Sequence, residues 1–397
     1  MDLNSLLVRH ILSLNPLEAT VEFINNIDAL SEFRFVYFCE KGAQFSQKLE
    51  ELRGDGYELC SYTHSEGLFI VDRNSCLGMM ANDGAYTSKI VVCINFDTQA
   101  LSYITRYFFD RKNDYDIERF LSKLINSKAD YTPIPYYMEN IGKNDNGTKL
   151  GTWKIMMLYC FLIDARSAND ILNPPADFYR SEYALKADET YRFMQETYNN
   201  PRFNIIPDTQ KIVYALLLKC CILKLTDKYS KSFIKDFFDF VAYDVGLFLD
   251  REVAVCYLFL SKNEFPLFFK HIKPNAKNIL QRIRAMSWDL THLRTLEIMT
   301  SADQYDNDAT FTLHALITYD KGLMEIVKAL PAKAMAFYKD NYRIIFKHSL
   351  PDIVSEVDLS EYFSPEIQEK RVRTGKYQDI NALISDLEKA IAKEGVL

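Results

Sequence analysis

KIVVCINFDTQALSYI, residues 89–104, joins an unbroken β-branched and apolar run to a helical pattern through a single aspartate, Asp97. A strand buried on both faces of a parallel sheet reads this way, because helices cover both of its faces. The helix TQALSYITRYFF starts directly after Asp97. A second junction has the same construction: TFTLHALITY (310–319) is predicted to be a strand, Asp320 follows it, and KGLMEIVKAL (321–330) is a helix stopped by Pro331. Ligand sites of open parallel sheets gather beyond the carboxyl ends of the strands, so carboxylates at these two junctions can meet across a long stretch of chain. Asp289, in SWDLTHLRTLE, is expected to open a further helix just ahead of the second strand. Three such carboxylates brought together repel unless a cation neutralises them, and oxygen-only ligation suits Mg²⁺ or Mn²⁺. Each aspartate taken singly reads as a helix cap, a role worth about 1 kcal/mol, and it is the set that points to ligands.

Outward from these junctions, residues 1–85 mix helical patterns (VEFINNIDAL, FSQKLEELRGDG) with strand patterns (FRFVYFCE, GLFIVD) and read as an α/β lead-in. The polar stretch from Arg111 to Lys149, turn-rich around IGKNDNGTKLG, is expected to be a loop between lobes. From Thr152 to Lys262 the spacing is helical throughout: WKIMMLYCFLIDA, SEYALKADETYRFMQETY, QKIVYALLLKCCILKL, FIKDFFDFVAYDVGLFL and VAVCYLFLS. WDLTHLRTLEIMTSA and the tail INALISDLEKAIAKEG add two more helices. The expected organisation is an α/β extension over 1–85, an α/β domain over 86–345 that contains a helical insertion at about 150–262, and a helical tail over 346–397.

Composition narrows the classes. The chain has 397 residues, 27 Phe and 25 Tyr against only 13 Gly and 12 Pro, which favours packed domains over a flexible or repetitive chain. A formal net charge of -7 argues against coating nucleic acid by bulk electrostatics but leaves room for a local basic groove. The candidate groove is the stretch from Lys262 to Arg284, with Lys270, Lys273, Lys277, Arg282 and Arg284; a solvated helix face is the alternative. Eight scattered cysteines, mostly in apolar surroundings, read as reduced and buried. The amino-terminal apolar run is broken by Arg9 and His10, too short for a signal peptide or membrane span, so the expected location is the cytoplasm, with no membrane association.

The junction motifs resemble those of the PIN-domain nucleases. CINFDTQALSYI supplies the family's strand-end aspartate and following hydroxyl, as Asp97 and Thr98, and ITYDKGL supplies a later Thr-x-Asp pattern, as Thr318 and Asp320. Asp289 takes the place of the acid that the family sets at a helix start between them. The resemblance implies a Rossmann-like parallel sheet and metal-dependent cleavage of RNA, with Asp97, Asp289 and Asp320 holding Mg²⁺ or Mn²⁺. It implies a further acid on a helix after the first aspartate, assigned to Glu182 in NPPADFYRSEYAL, where two prolines precede a helix. Thr98 and Thr318 would orient the carboxylates, and His292, three residues after Asp289, would face the same site on one side of a helix. A toxin-like or defence role, an inhibitory or activating protein partner and a homo-oligomer follow from the family alone. The alternatives are a non-catalytic interaction module, in which the aspartates are caps, and a nuclease acting on DNA.

Other chemistries lack their motifs. Neither G-x-x-x-x-G-K-[ST] nor G-x-G-x-x-G occurs, no G-x-S-x-G elbow is present, and the histidines have no zinc spacing. A haloacid-dehalogenase pattern needs a second acid where Gln99 stands. Asp303, Asp306 and Asp308 are expected in a turn, one of them available as a fourth ligand. The Phe-rich helix near 233–248 is expected in a core or interface.

Overall fold

The computed structural model describes residues 1–40, 43–44, 52, 57–84, 89–127, 129–141, 143, 146–173, 182–198, 201–226, 232–274, 276–304, 310–339, 341–364 and 379–393. The fold is mixed α/β with two sheets. One has the order β2-β4-β1-β8-β9, from Ala43–Gln44 (β2), Gly67–Val71 (β4), Phe33–Cys39 (β1), Ala332–Tyr338 (β8) and Asn341–Phe346 (β9). The other has the order β3-β7-β5-β6, from Glu58–Cys60 (β3), Thr310–Thr318 (β7), Lys89–Phe96 (β5) and Asp130–Thr132 (β6). The expected strands at FRFVYFCE, GLFIVD, KIVVCINF and TFTLHALITY all form, whereas the predicted helix FSQKLEELRGDG lies, apart from Leu52, outside the described residues.

The chain divides into two compact units. The first comprises Met1–Asn204, His292–Asp320 and Pro331–Ile345; the second comprises Ile205–Thr291, Lys321–Leu330 and Phe346–Leu397. Residues 1–85 are therefore no separate extension, since β1 pairs antiparallel with both β4 and β8. The expected helical insertion is shared between the units, parting at Asn204 and Ile205.

In the first unit, helices Leu6–Ser13 and Pro16–Asn25 lay Val8, Ile11, Leu12, Ala19 and Phe23 against Phe33, Phe35, Tyr37, Ala334 and Ala336 of the first sheet. The second of these helices starts sharply because Asn15 and Glu18 form a reciprocal capping box and Pro16 occupies its first turn.

The second sheet positions the site. β5 runs parallel to both β6 and β7, in register Cys93↔Asp130 and Cys93↔His314. Paired residues of parallel strands share a face, so the alternation separates two sets. Ile90, Val92, Ile94 and Phe96 align with Phe311, Leu313, Ala315 and Ile317 on an apolar face, where Phe96 meets Phe120 of helix Ile117–Ser127 edge to face at 6.5 Å. The opposite face carries Asn95 with His314 and Thr318, all buried. The stretch expected to be an inter-lobe loop instead contains helix Ile117–Ser127, β6, helix Ile134–Asn140 and the start of helix Asn146–Asp164.

In the second unit, helix Asp250–Lys262 is buried over ten consecutive residues from Arg251 to Leu260. Phe259 stacks on Phe269 with centroids 3.9 Å apart. The tail helix Ile380–Lys393 is tied in by Tyr214, whose hydroxyl donates to Glu388 at 2.8 Å. The Phe-rich segment forms helix Phe233–Asp239 and a π-helical turn, Phe240–Val245, with Phe237, Phe238 and Phe240 buried as expected for core. No helix among the described residues is long and apolar enough to cross a membrane.

Candidate functional site

At the carboxyl end of β5 the chain turns into helix Thr98–Asp110, and Asp97 is its cap: the carboxylate accepts the Ala100 amide at 2.6 Å. Only 6% of Asp97 is exposed. Beside it, Thr318 is the last residue of β7, one step beyond the Phe96↔Ile317 pair, and its hydroxyl hydrogen-bonds the Asp97 carboxylate. β6 leads into helix Ile134–Asn140, which carries Glu139 to the same strand ends. Thr98 Oγ1 donates to Glu139 Oε2 at 2.5 Å, and the buried His292 places Nε2 at 3.7 Å from the same oxygen. The neighbouring Asn140, also buried, donates to the Thr98 hydroxyl at 3.5 Å and to the Tyr136 carbonyl at 2.8 Å.

The two carboxylates are shifted in opposite directions. Burial pushes Asp97 up to about 6; the Ala100 amide, the Thr318 hydroxyl and the His292 imidazole oppose the rise, and the charge of Glu139 adds to it. Burial acts on Glu139 in the same upward sense, yet His292, Thr98 and the Lys143 ammonium together outweigh it and hold Glu139 below the usual carboxylate range. One carboxylate is thus kept charged while its neighbour stays close to protonation near neutral pH. Divergent pairs of this kind are found at functional sites, where the two groups take different roles.

Asp97, Thr98, Thr318 and His292 therefore come together, as the sequence implied. Asp320 lies two residues past Thr318, half-buried, and its backbone N–H donates to the Thr318 hydroxyl at 3.0 Å. Glu182 is a correction. It is exposed at the start of helix Glu182–Tyr198, and its charge acts on Tyr183 and Lys186, whereas the charged neighbours of Asp97 are His292 and Glu139. Asp289 is a second correction: it opens no helix but lies in the interior of Ile279–Asp303, because no breaker interrupts the helical run that precedes it. The division between the units also falls between Asp289 and His292. Asp303 is not in a turn but ends that helix and meets His314 Nε2 at 2.8 Å; Asp306 and Asp308 lie outside the described residues.

The basic stretch belongs to the second unit and is not one helix face. Lys270, Lys273 and Lys277 are exposed in irregular chain, Arg282 hydrogen-bonds His271, and Arg284 pairs with Glu388 at 2.9 Å while lying over the Tyr214 ring.

Glu139, Asn140 and Lys143 were missed by the sequence reading. A signal was present: Pro133 and Pro135 precede Glu139, the same proline-then-acid signature that pointed to Glu182. Among the described residues, no group of three or more His, Cys, Asp or Glu side chains is placed to hold a metal ion.

No family model, curated protein or solved structure matches this chain.

Proposed function

We propose that the Asp97–Glu139 cluster is the active site of a metal-dependent phosphodiesterase of PIN type acting on RNA. The observation that carries this reading is the convergence of two oppositely shifted carboxylates, with His292, at the carboxyl ends of three parallel strands, where open sheets place their ligands. The central position of β5 between β6 and β7, and an acid-bearing helix directly after β6, support the PIN-like Rossmann arrangement.

The donor set fits Mg²⁺ or Mn²⁺. It offers carboxylate oxygens, and the charge of Glu139 adds to the cost of ionising the buried Asp97, a cost that a cation relieves. Two carboxylates suffice for Mg²⁺, which keeps waters and takes substrate phosphate oxygens for its remaining positions. Asp97 and Glu139 would hold the ion, and Asp320, two residues past the end of β7, would be a further candidate ligand. A bound ion lowers the pKa of a coordinated water and offsets charge on the phosphate. Thr98 fixes Glu139, Thr318 fixes Asp97, and His292 sets its Nε2 beside the Glu139 carboxylate. The exposed Lys270, Lys273 and Lys277 would contact RNA, and the toxin-like or defence role remains part of the PIN proposal.

A second reading is favoured by the hydrogen bond from Ala100: Asp97 works as a helix cap, as it would in a non-catalytic interaction module. Cleavage of labelled total cellular RNA with Mg²⁺ or Mn²⁺ separates the two, run beside Asp97→Asn, Glu139→Gln and a chelator control. The nuclease reading expects cutting that is lost in both variants and in chelator. Cutting that survives both substitutions, or no cutting by the wild-type chain with either metal, favours the module.

A further inference from the structure

Lys143 is anchored more firmly than a half-exposed lysine ordinarily is. Its Nζ lies 2.8 Å from Asn140 Oδ1 and 3.5 Å from Glu139 Oε1. Asn140, 93% buried, donates in turn to Thr98, and Thr98 donates to Glu139. Lys143, Asn140, Thr98 and Glu139 thus close a ring of hydrogen bonds. An exposed Lys–Glu pair on its own is weakly held, because two long side chains lose entropy to stay together. Here a buried amide that is itself fixed, by donation to the Tyr136 carbonyl, accepts from the ammonium. An ammonium has three N–H donors, and Glu139 and Asn140 take two. Lys143 is 46% exposed, so its charge reaches solvent directly beside the Glu139 carboxylate.

We infer that Lys143 is the anion-binding residue of this site and takes a non-bridging oxygen of a nucleic-acid phosphate next to Glu139. The inference rests on the proposed phosphodiesterase reading and assigns the group that recognises its substrate. The same ammonium has two functions: it braces the Glu139 carboxylate, and it presents a positive charge to the substrate directly beside that carboxylate. A lysine serving only as a structural partner of Glu139 would fulfil the first function and not the second.

The test uses the full chain and a 5′-fluorescein single-stranded RNA 12-mer, with binding read by anisotropy in chelator so that no cleavage intervenes. Circular dichroism confirms that Lys143→Gln and Lys143→Arg are folded. Lys143→Gln is expected to bind about tenfold more weakly, and its slope of log affinity against log salt is expected to be shallower by about 0.7. Lys143→Arg is expected to stay within about threefold of wild type, since it keeps the charge. In cleavage assays the Lys143→Gln change is expected mainly in KM. Equal affinity and equal salt slope for Lys143→Gln and wild type would overturn the inference, as would absence of any RNA binding by wild type. Charge-dependent binding through Lys143 without metal-dependent cleavage would leave the inference standing and remove the nuclease reading.

Discussion

Asp97 is held where ionisation costs stability, and its neighbour Glu139 where ionisation contributes to it. The folded chain keeps the proton on Asp97 up to about pH 6, whereas an unfolded aspartate releases it near 4. The folded state therefore binds more protons across that window, and stability falls by about 3 kcal/mol as pH rises through it. Asn caps a helix as well as Asp does and carries no charge. Asp97→Asn is accordingly expected to be more stable than wild type by about 1–3 kcal/mol at pH 7.5 in chelator, with the gain vanishing below pH 4; urea unfolding at both pH values measures it, and a less stable variant at pH 7.5 would refute it. Glu139 has a lowered folded pKa, so its contribution is complete above the unfolded value and is lost as pH falls through the folded one. Glu139→Gln should therefore be destabilised at pH 7.5, with the deficit closing on acidification. Opposite signs for two adjacent acids are a stringent check on the site's electrostatics. Asp97, Thr98 and Thr318 were legible in the sequence because strand-end and helix-start chemistry is local, whereas His292 was reached through a helix start at Asp289 that the fold does not contain. Glu139 was not, because its partners Thr98 and His292 are 41 and 153 residues away, by subtraction of their sequence numbers.

At the scale of elements, helix Ile117–Ser127 shows how local pattern and packing combine. Ile117, Phe120, Leu121 and Leu124 fall at i, i+3, i+4 and i+7, and all four are buried. Phe120 lies between Tyr57, at 4.9 Å, and Phe96, at 6.5 Å, and so fastens this helix beneath the last residue of β5. Phe120→Ala is expected to cost about 3–5 kcal/mol through lost contact and a residual cavity; urea unfolding would read it, and a loss under about 1 kcal/mol would mean that the site's base is not packed as described. Strands β5 and β7 were readable because each is a continuous apolar run with an abrupt polar end. β8 and β9 carry no such local mark. AKAMAFY is rich in Ala and Lys, which are depleted in strands, and it becomes one because β1 supplies its hydrogen bonds. Helix Ile279–Asp303 was recognised only from Trp288 onward, since its buried positions include Ser287, Thr291, Thr295, Glu297 and Thr300 and blur the apolar stripe.

For the molecule as a whole, the cysteines report on packing. Cys76, Cys93, Cys160, Cys220, Cys221 and Cys256 are buried and unpaired as disulfides, and Cys39 is half-buried. Burial pushes Cys76 up to about 11 and Cys93 and Cys221 up to about 12, so their thiolate fractions at pH 8 are small. With an aromatic disulfide reagent, Cys39 is expected to react before these six, which should wait for unfolding in denaturant; fast reaction of several of them in native buffer would show that the helices open readily. From the sequence alone came the mixed α/β class, the strands that lead into Asp97 and Thr318, the burial of six of the thiols though not of Cys39, and Asp97, Thr98 and Thr318 at the candidate site, all of which depend on hydrophobic period and on the chemistry of strand and helix ends. Tertiary structure decided that residues 1–85 share a sheet with 332–346, that Glu139 rather than Glu182 joins Asp97, and that Asp289 falls in a different unit from Asp97. The physical reason is that strand pairing and the meeting of charges are long-range events, set by which surfaces close on one another, and a local pattern of residue types contains no term for distance across the fold.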